Sequence, residues 1–395
     1  MSSRHVFDLA HLRRETPGVE NRIHFNNAGA ALPPQPVVET MIAHLRREAA
    51  IGGYEAEDEA GGRIAAIRGS IARLLNADPA EVALVENATI GWLLAFHALP
   101  FKPGERILTA RAEYASNYIS YLQAAKRWGV SVEAVPSRDS GEVDVEALER
   151  MIDGRVRLIS ITHVPTNGGL VNPAAEIGRI ARRHGIVYLL DACQSAGQLP
   201  LDVAALGCDM LTATGRKYLR GPRGTGFLYV RRELAERLEP PMLDLHGATW
   251  VAPERYELQP GARRFENWEK NWAGFLGLGV AVDYALDLGL TAIAARVGAL
   301  ADALREALAR LPGVTVHDIG RQRCGIVTFT AEGRPAAEIK AALAARSINV
   351  VTSSPPSTLL DAAARRLPDL VRASVHYYND EDEVARFVAG VEELL

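Results

Sequence analysis

An alternation limits the folding of this chain more than anything else in its sequence: short apolar runs rich in Val, Ile and Leu recur between segments with helical spacing. The runs fall at 82–85, 106–109, 156–162, 186–190, 210–212 and 226–230, and helical periodicity fills 90–97, 117–128 and 173–183 between them. Runs that are apolar throughout, rather than alternating, read as strands buried on both faces. The pattern therefore predicts an α/β domain around a largely parallel sheet. After about residue 275 the texture changes. An Ala/Leu-rich amphipathic stretch runs over 273–311 with a break near Gly289, followed by short strands at 325–330, 348–352 and 370–376 and helices at 335–346 and 381–394. That reads as a smaller α+β domain, with the site expected between the two. The expected division is 1–21 as an N-terminal segment packing on the small domain, 22–266 as the large domain, 267–290 as a helical connection and 291–395 as the small domain.

Composition narrows the function classes. With Lys plus Arg at 44 against 48 for Asp plus Glu, the net charge of -4 gives no bulk attraction to nucleic acid or anionic lipid. Hydrophobic residues at 48% and charged residues at 23% are those of a folded globular protein. Cys193, Cys208 and Cys324 are odd in number, and their spacing matches no zinc ribbon or redox motif, so a reducing cytoplasm and no metal site are expected. The first residues carry acids and bases where a signal peptide needs an apolar stretch, and no segment reaches the ~20 apolar residues of a membrane span, so no membrane partner is expected.

Chemistry concentrates in the stretch TATGRKYLRGPRGTGFLYV, where Lys217 follows one strand in a Gly/Arg-rich turn and precedes another. Upstream, the run 186–190 ends in Asp191-Ala192-Cys193-Gln194, which places a carboxylate at the C-terminal edge of a parallel strand, where α/β sheets bind ligands. A lysine able to hold an aldehyde and a carboxylate able to keep a pyridine nitrogen protonated are what pyridoxal phosphate requires. Asn87-Ala88-Thr89 opens a helix directly after the run 82–85. It offers backbone N–H groups and a hydroxyl for a phosphate, although Thr89 reads equally as an ordinary helix cap.

These residues, with HFNNAGAALPP, ENAT, AEYASN, HVPTNGGLVNP, DACQSAGQ, RFENWEKN and VRASVHYYN in the same order, resemble the class V, cysteine desulfurase-like family of fold-type I pyridoxal phosphate enzymes across nearly the whole chain. The resemblance implies a homodimer with a large, mainly parallel seven-stranded sheet domain and a small α+β domain, acting on an amino acid. It implies Lys217 as the cofactor lysine, Asp191 at the pyridine nitrogen and Gln194 at the phenolic oxygen. Ala88, Thr89 and Thr214 would hold the phosphate, and Arg372 would clamp the substrate α-carboxylate with two parallel hydrogen bonds. Asn27, Ala28 and Tyr54 would complete the substrate site.

The departures from the family pattern are informative. Tyr114 stands where desulfurases stack a histidine on the ring, and Arg216 replaces another histidine. Thr166 or its neighbour Asn167 falls where an asparagine meets the cofactor, and Glu269 stands where a partner subunit supplies a phosphate-binding threonine. The segment Val351-Thr352-Ser353-Ser354-Pro355-Pro356 lacks the desulfurase cysteine, and Cys193 reads as packing. Together with Ile51-Gly52-Gly53-Tyr54-Glu55-Ala56, these features are most similar to the C–S lyase branch that includes the hercynylcysteine sulfoxide lyase of ergothioneine biosynthesis. The implied reaction is β-elimination from a cysteine S-conjugate or sulfoxide, with aminotransferase or epimerase outcomes, or a non-enzymatic binding protein on the same fold, as alternatives. Trp250, Trp268 and Trp272, with Tyr256 and Phe265, form an aromatic cluster in a chain only 6% aromatic. Such a cluster suits either a cage for a quaternary ammonium group or a subunit interface.

Overall fold

The computed structural model describes residues 8–395. Its centre is a seven-stranded sheet in the order Val82–Val85, Gly226–Val230, Met210–Thr214, Val187–Asp191, Val156–Thr162, Arg106–Ala110 and Ser131–Val135. All neighbours are parallel except Gly226–Val230, which runs antiparallel to both strands beside it. Six of these strands sit on the apolar runs of the sequence. The seventh, Ser131–Val135, lies at the sheet edge. Half-exposed, it carries Ser131 and Glu133 among its apolar residues, so it has no continuous apolar run to reveal it.

Helices cover the sheet because each connection between parallel strands must cross over it. Ala88–His97, Ala115–Trp128 and Ala174–His184 are three of these, and the last two stop at Gly129 and Gly185. Two long helices not foreseen from periodicity, Gln35–Ile51 and Gly53–Leu75, pack against Trp272–Leu288. The break at Gly289 bends Trp272–Leu288 by 81° from Leu290–Ala309, which leads into a four-stranded antiparallel sheet. That sheet holds Val314–Val316, Ile326–Ala331, Leu370–Ser374 and Val351–Ser353 in spatial order.

The small core takes in more than the C-terminal third. Ile23 and Phe25 are buried with Leu300, Phe329 and Phe387, and Ile23–His24 pairs in parallel with Ile348–Asn349. The division at residue 22 therefore differs from the packing. Ile23 and Phe25 belong with the small sheet, because a short apolar run carries no mark of which core it will enter. Of the N-terminal segment, 1–7 lies outside the described residues. Within the rest, Arg13 pairs with Asp380 and Glu383, each at 3.1 Å.

Two close approaches set the position of the lysine turn. Gly197, at φ +90°, lies so near the Tyr218 main chain that an added Cβ would stand 2.4 Å from its carbonyl, so only glycine lets the loop after Asp191 pack onto the turn after Lys217. Arg220 then anchors that turn. Fully buried, it donates to Leu32 O, Tyr377 Oη and Thr16 Oγ1, and its guanidinium lies 4.4 Å from the centroid of the Tyr378 ring.

Candidate active site

The register of the large sheet brings Thr162, Asp191 and Thr212 side by side near the C-terminal ends of adjacent parallel strands. Beyond them lies a cavity of about 510 Å³. Ala88, Thr89, Tyr114, Thr166, Asp191, Gln194, Thr214, Arg216 and Lys217, drawn from segments far apart in sequence, all line it. Asn87 N-caps the helix Ala88–His97 by accepting from Ile90 N at 3.0 Å, and Ala88 and Thr89 sit on the cavity wall at that helix N-terminus.

Asp191 is buried and held from two sides. Its Oδ1 accepts from Cys193 N at 2.9 Å and its Oδ2 from Asn117 Nδ2 at 3.0 Å. Lys217 has no ion pair among the described residues, and burial lowers its pKa below the usual lysine value while the Cys193 and Asp191 groups pull the other way. Burial also pushes the Cys193 thiol well up, and the neighbouring Asp191 charge adds to the effect. The thiol on the cavity wall is therefore protonated and a poor nucleophile.

Behind Asp191 lies a carboxylate that periodicity did not single out. Glu113 accepts from Tyr114 N and Asn117 Nδ2, both at 2.9 Å, from Thr109 Oγ1 at 3.0 Å, and from the Thr162 amide and hydroxyl. Burial, with the Asp191 charge adding to it, raises Glu113 to about 7 against the pull of these donors. The signal available in sequence was the Glu113/Asn117 pair across the start of a helix, where residues four apart face one way.

Arg372, on the small sheet, donates Nη1 to the carbonyl and hydroxyl of Thr166, while its buried Nε has no partner. Burial brings its pKa down to about 10, and the nearby Arg216 charge acts in the same direction. Thr166 lines the cavity. Asn167 does not, because its side chain accepts from Ser353 Oγ and donates to Thr358 Oγ1 at 3.1 Å.

Three of the four residues expected at the substrate lie elsewhere. Asn27 is fully buried, donating to His24 O at 3.0 Å and Ser374 O at 2.7 Å and accepting from Tyr378 Oη, so its amide ties the N-terminal segment to the small sheet. Ala28 is packed behind the cavity, its carbonyl accepting from Gln194 Nε2 at 3.1 Å. Tyr54, 71% exposed, borders a second cavity of about 550 Å³ with Trp268, Glu269 and Trp272. Trp250 stands on the separate hairpin Ala248–Ala252/Arg255–Leu258 and Phe265 is buried, so no single aromatic cage forms within one chain. Of the two alternatives for this cluster, the cage is the one that the single chain does not form, because nearness in sequence does not make side chains converge.

The family model for aminotransferase class-V matches residues 23–387. The chain belongs to that family. A probable cysteine desulfurase of Methanothermobacter thermautotrophicus is similar to this class-V chain at 29% identity, covering 97% of each. The apo structure of a cysteine desulfurase from Thermococcus onnurineus NA1 superposes with a TM-score of 0.91 at 28% identity, covering 100% of this chain and 99% of that one. The structure of the cystine C–S lyase C-DES in complex with its product cysteine persulfide gives 0.87 at 26% identity, covering 96% and 99%.

Class-V enzymes use pyridoxal phosphate, and this site fits it. A buried amine without an ion pair faces the same cavity as a helix N-terminus, a strand-edge carboxylate and the buried, unpartnered Oε1 of Gln194. An orphaned polar atom in such a place marks a surface built to meet a ligand. The chain is a pyridoxal phosphate enzyme, and Lys217 and Asp191, which line this one cavity, are the residues that would meet the aldehyde carbon and the ring nitrogen.

Proposed function

We propose that this enzyme is a C–S lyase. It removes the sulfur substituent from Cβ of a cysteine S-conjugate or sulfoxide, releasing a thiol or sulfenic acid and leaving pyruvate and ammonia after hydrolysis. The observation that carries this reading is the segment after Asn349. Where a desulfurase needs a mobile thiol, Ser353 is bonded to Asn167 and the following turn is pinned through Thr358. The cavity's own thiol, Cys193, is held protonated.

Bound pyridoxal phosphate supplies an electron sink for charge left at Cα. The remaining work falls to the chain. Lys217, its proton affinity lowered by burial, is suited to take the Cα proton. Arg372, steadied by Thr166, fixes the α-carboxylate and so the direction of the Cα–H bond. Tyr114, on the cavity wall, is the aromatic residue that would stack on the cofactor ring. Thiolates and sulfenates leave without much acid assistance, so tyrosine in place of histidine costs this reaction little.

The reading includes a homodimer. Tyr54 and Trp268 are exposed and border one open cavity with Trp272 and Glu269, and exposed aromatic groups of this kind suit a subunit interface. Sedimentation at micromolar concentration is expected to give twice the chain mass.

Incubation with S-substituted cysteines and their sulfoxides, following pyruvate, cofactor absorbance and substrate chirality, tests the reaction. Catalytic pyruvate release supports the lyase. Alanine with sulfane sulfur from free cysteine would make the protein a desulfurase. Dependence on an added keto acid would make it an aminotransferase, and inversion at Cα without release an epimerase.

A further inference from the structure

One cation on the cavity wall has no task in that chemistry. Arg223 and Gly224 line the same cavity as Lys217, yet the Arg223 guanidinium makes no hydrogen bond or ion pair among the described residues. A like charge shares the cavity: Arg216 lines it too, and the Arg223 charge helps lower the pKa of Arg216, after burial. Arg223 is exposed at the cavity mouth, and two cations lining one cavity give it a field that favours an anion.

The backbone places Arg223 next to the phosphate berth. Thr225 Oγ1 donates to Pro222 O at 2.8 Å and Gly215 N donates to Thr225 O at 3.0 Å, so residues 222–225 form a tight turn folded back on the lysine turn. The strand Gly226–Val230 starts immediately after it. A Cβ added at Gly226 would stand 3.0 Å from Asn87 C and 3.1 Å from Ala88 N, so this chain reversal abuts the first peptide of the helix Ala88–His97. The helix N-terminus, the Arg223 turn and the buried, unpartnered Gln194 Oε1 thus face one cavity.

Charge matching decides between the two anions available. Asp191 is the sole carboxylate lining the cavity among the described residues, and a protonated ring nitrogen would match it. Arg372 is matched by the substrate α-carboxylate. That leaves Arg216 and Arg223 together, and a phosphate monoester brings about two negative charges at pH 7. No cation remains for an acidic substrate side chain.

Resting on the pyridoxal phosphate reading, we propose that Arg223 is a phosphate-binding residue for the cofactor, supplied by the same chain that carries Lys217. It does in cis what a residue at the position of Glu269 cannot do from a neighbouring subunit, because a carboxylate repels phosphate. The phosphate is then gripped by charge from its own chain as well as by the N–H groups at Ala88 and Thr89.

The test titrates the full-length protein, its cofactor first released with hydroxylamine, with pyridoxal phosphate and with unphosphorylated pyridoxal. For Arg223→Gln, pyridoxal phosphate affinity is expected to fall by about ten- to a hundredfold, the loss of one hydrogen bond to a charged group, with pyridoxal affinity unchanged. Arg223→Lys, which keeps the charge but not the fork, should fall between. Equal loss for both ligands, or no loss for either, would overturn the assignment. So would unchanged cofactor affinity with a raised KM for substrate, which would move Arg223 to the substrate. Failure of the unsubstituted protein to bind pyridoxal phosphate at all would instead refute the reading on which the proposal rests.

Discussion

Arg372 and Thr166 lie on different sheets' loops and strands, and the Arg372 guanidinium is fixed by donating Nη1 to the Thr166 hydroxyl and carbonyl. One edge of the guanidinium is thereby committed to the protein, while Nε is buried without a partner. The free edge is the part left for a carboxylate. Arg372→Lys keeps the charge but loses the planar fork, and KM for an amino acid substrate should rise by about tenfold or more while the cofactor absorbance is retained. An unchanged KM would remove Arg372 from substrate binding.

Lys217→Ala should abolish covalent retention of the cofactor and lower turnover by about 10²–10⁴-fold from the lost proton transfer alone. Borohydride reduction of the unsubstituted protein followed by peptide mapping should label Lys217. A label on another lysine would displace it from the site.

Among the described residues, Asn117 is the single side-chain donor shared by Glu113 and Asp191. Asn117→Ala leaves two buried carboxyl groups each short of a donor, which should destabilise the protein by about 1–3 kcal/mol. It should also weaken cofactor affinity, because Asp191 is no longer held. Chemical denaturation and cofactor titration measure the two effects separately, and an intact cofactor affinity would show that Cys193 N alone orients Asp191.

Glu113 makes stability depend on pH in a stated direction. Its folded pKa of about 7 lies above the ~4.3 of an unfolded glutamate. Between those values the folded state binds more protons than the unfolded state, so the stabilisation is complete below ~4.3 and is lost as pH rises through about 7. Thermal unfolding of the unsubstituted protein should show a larger fall in Tm from pH 5 to pH 8 than Glu113→Gln shows. Equal falls would place the ionisation elsewhere.

Much of this protein is legible in its sequence, and the legible parts share a physical cause. A strand buried on both faces must be apolar throughout, so six of the seven large-sheet strands announce themselves locally, and Asp191 and Lys217 stand at ends those runs define. The edge strand Ser131–Val135 and the two long N-terminal helices do not, because a half-exposed face needs no continuous apolar run.

Local pattern therefore specifies the sheet, the chemistry of the lysine turn and the family. Where polar side chains spend their hydrogen bonds is settled by tertiary packing instead. Thr166 and Asn167 are neighbours in sequence, yet one holds Arg372 at the cavity and the other is drawn to Ser353 and Thr358. Asn27 is a motif residue whose amide is consumed by His24, Ser374 and Tyr378. Arg223 is one more arginine in a basic turn until the chain reversal at Gly226 sets that turn against the helix at Ala88. Apolar burial is written as a local period, whereas a polar group's partner is chosen by whatever distant segment the packed core brings within about 3 Å.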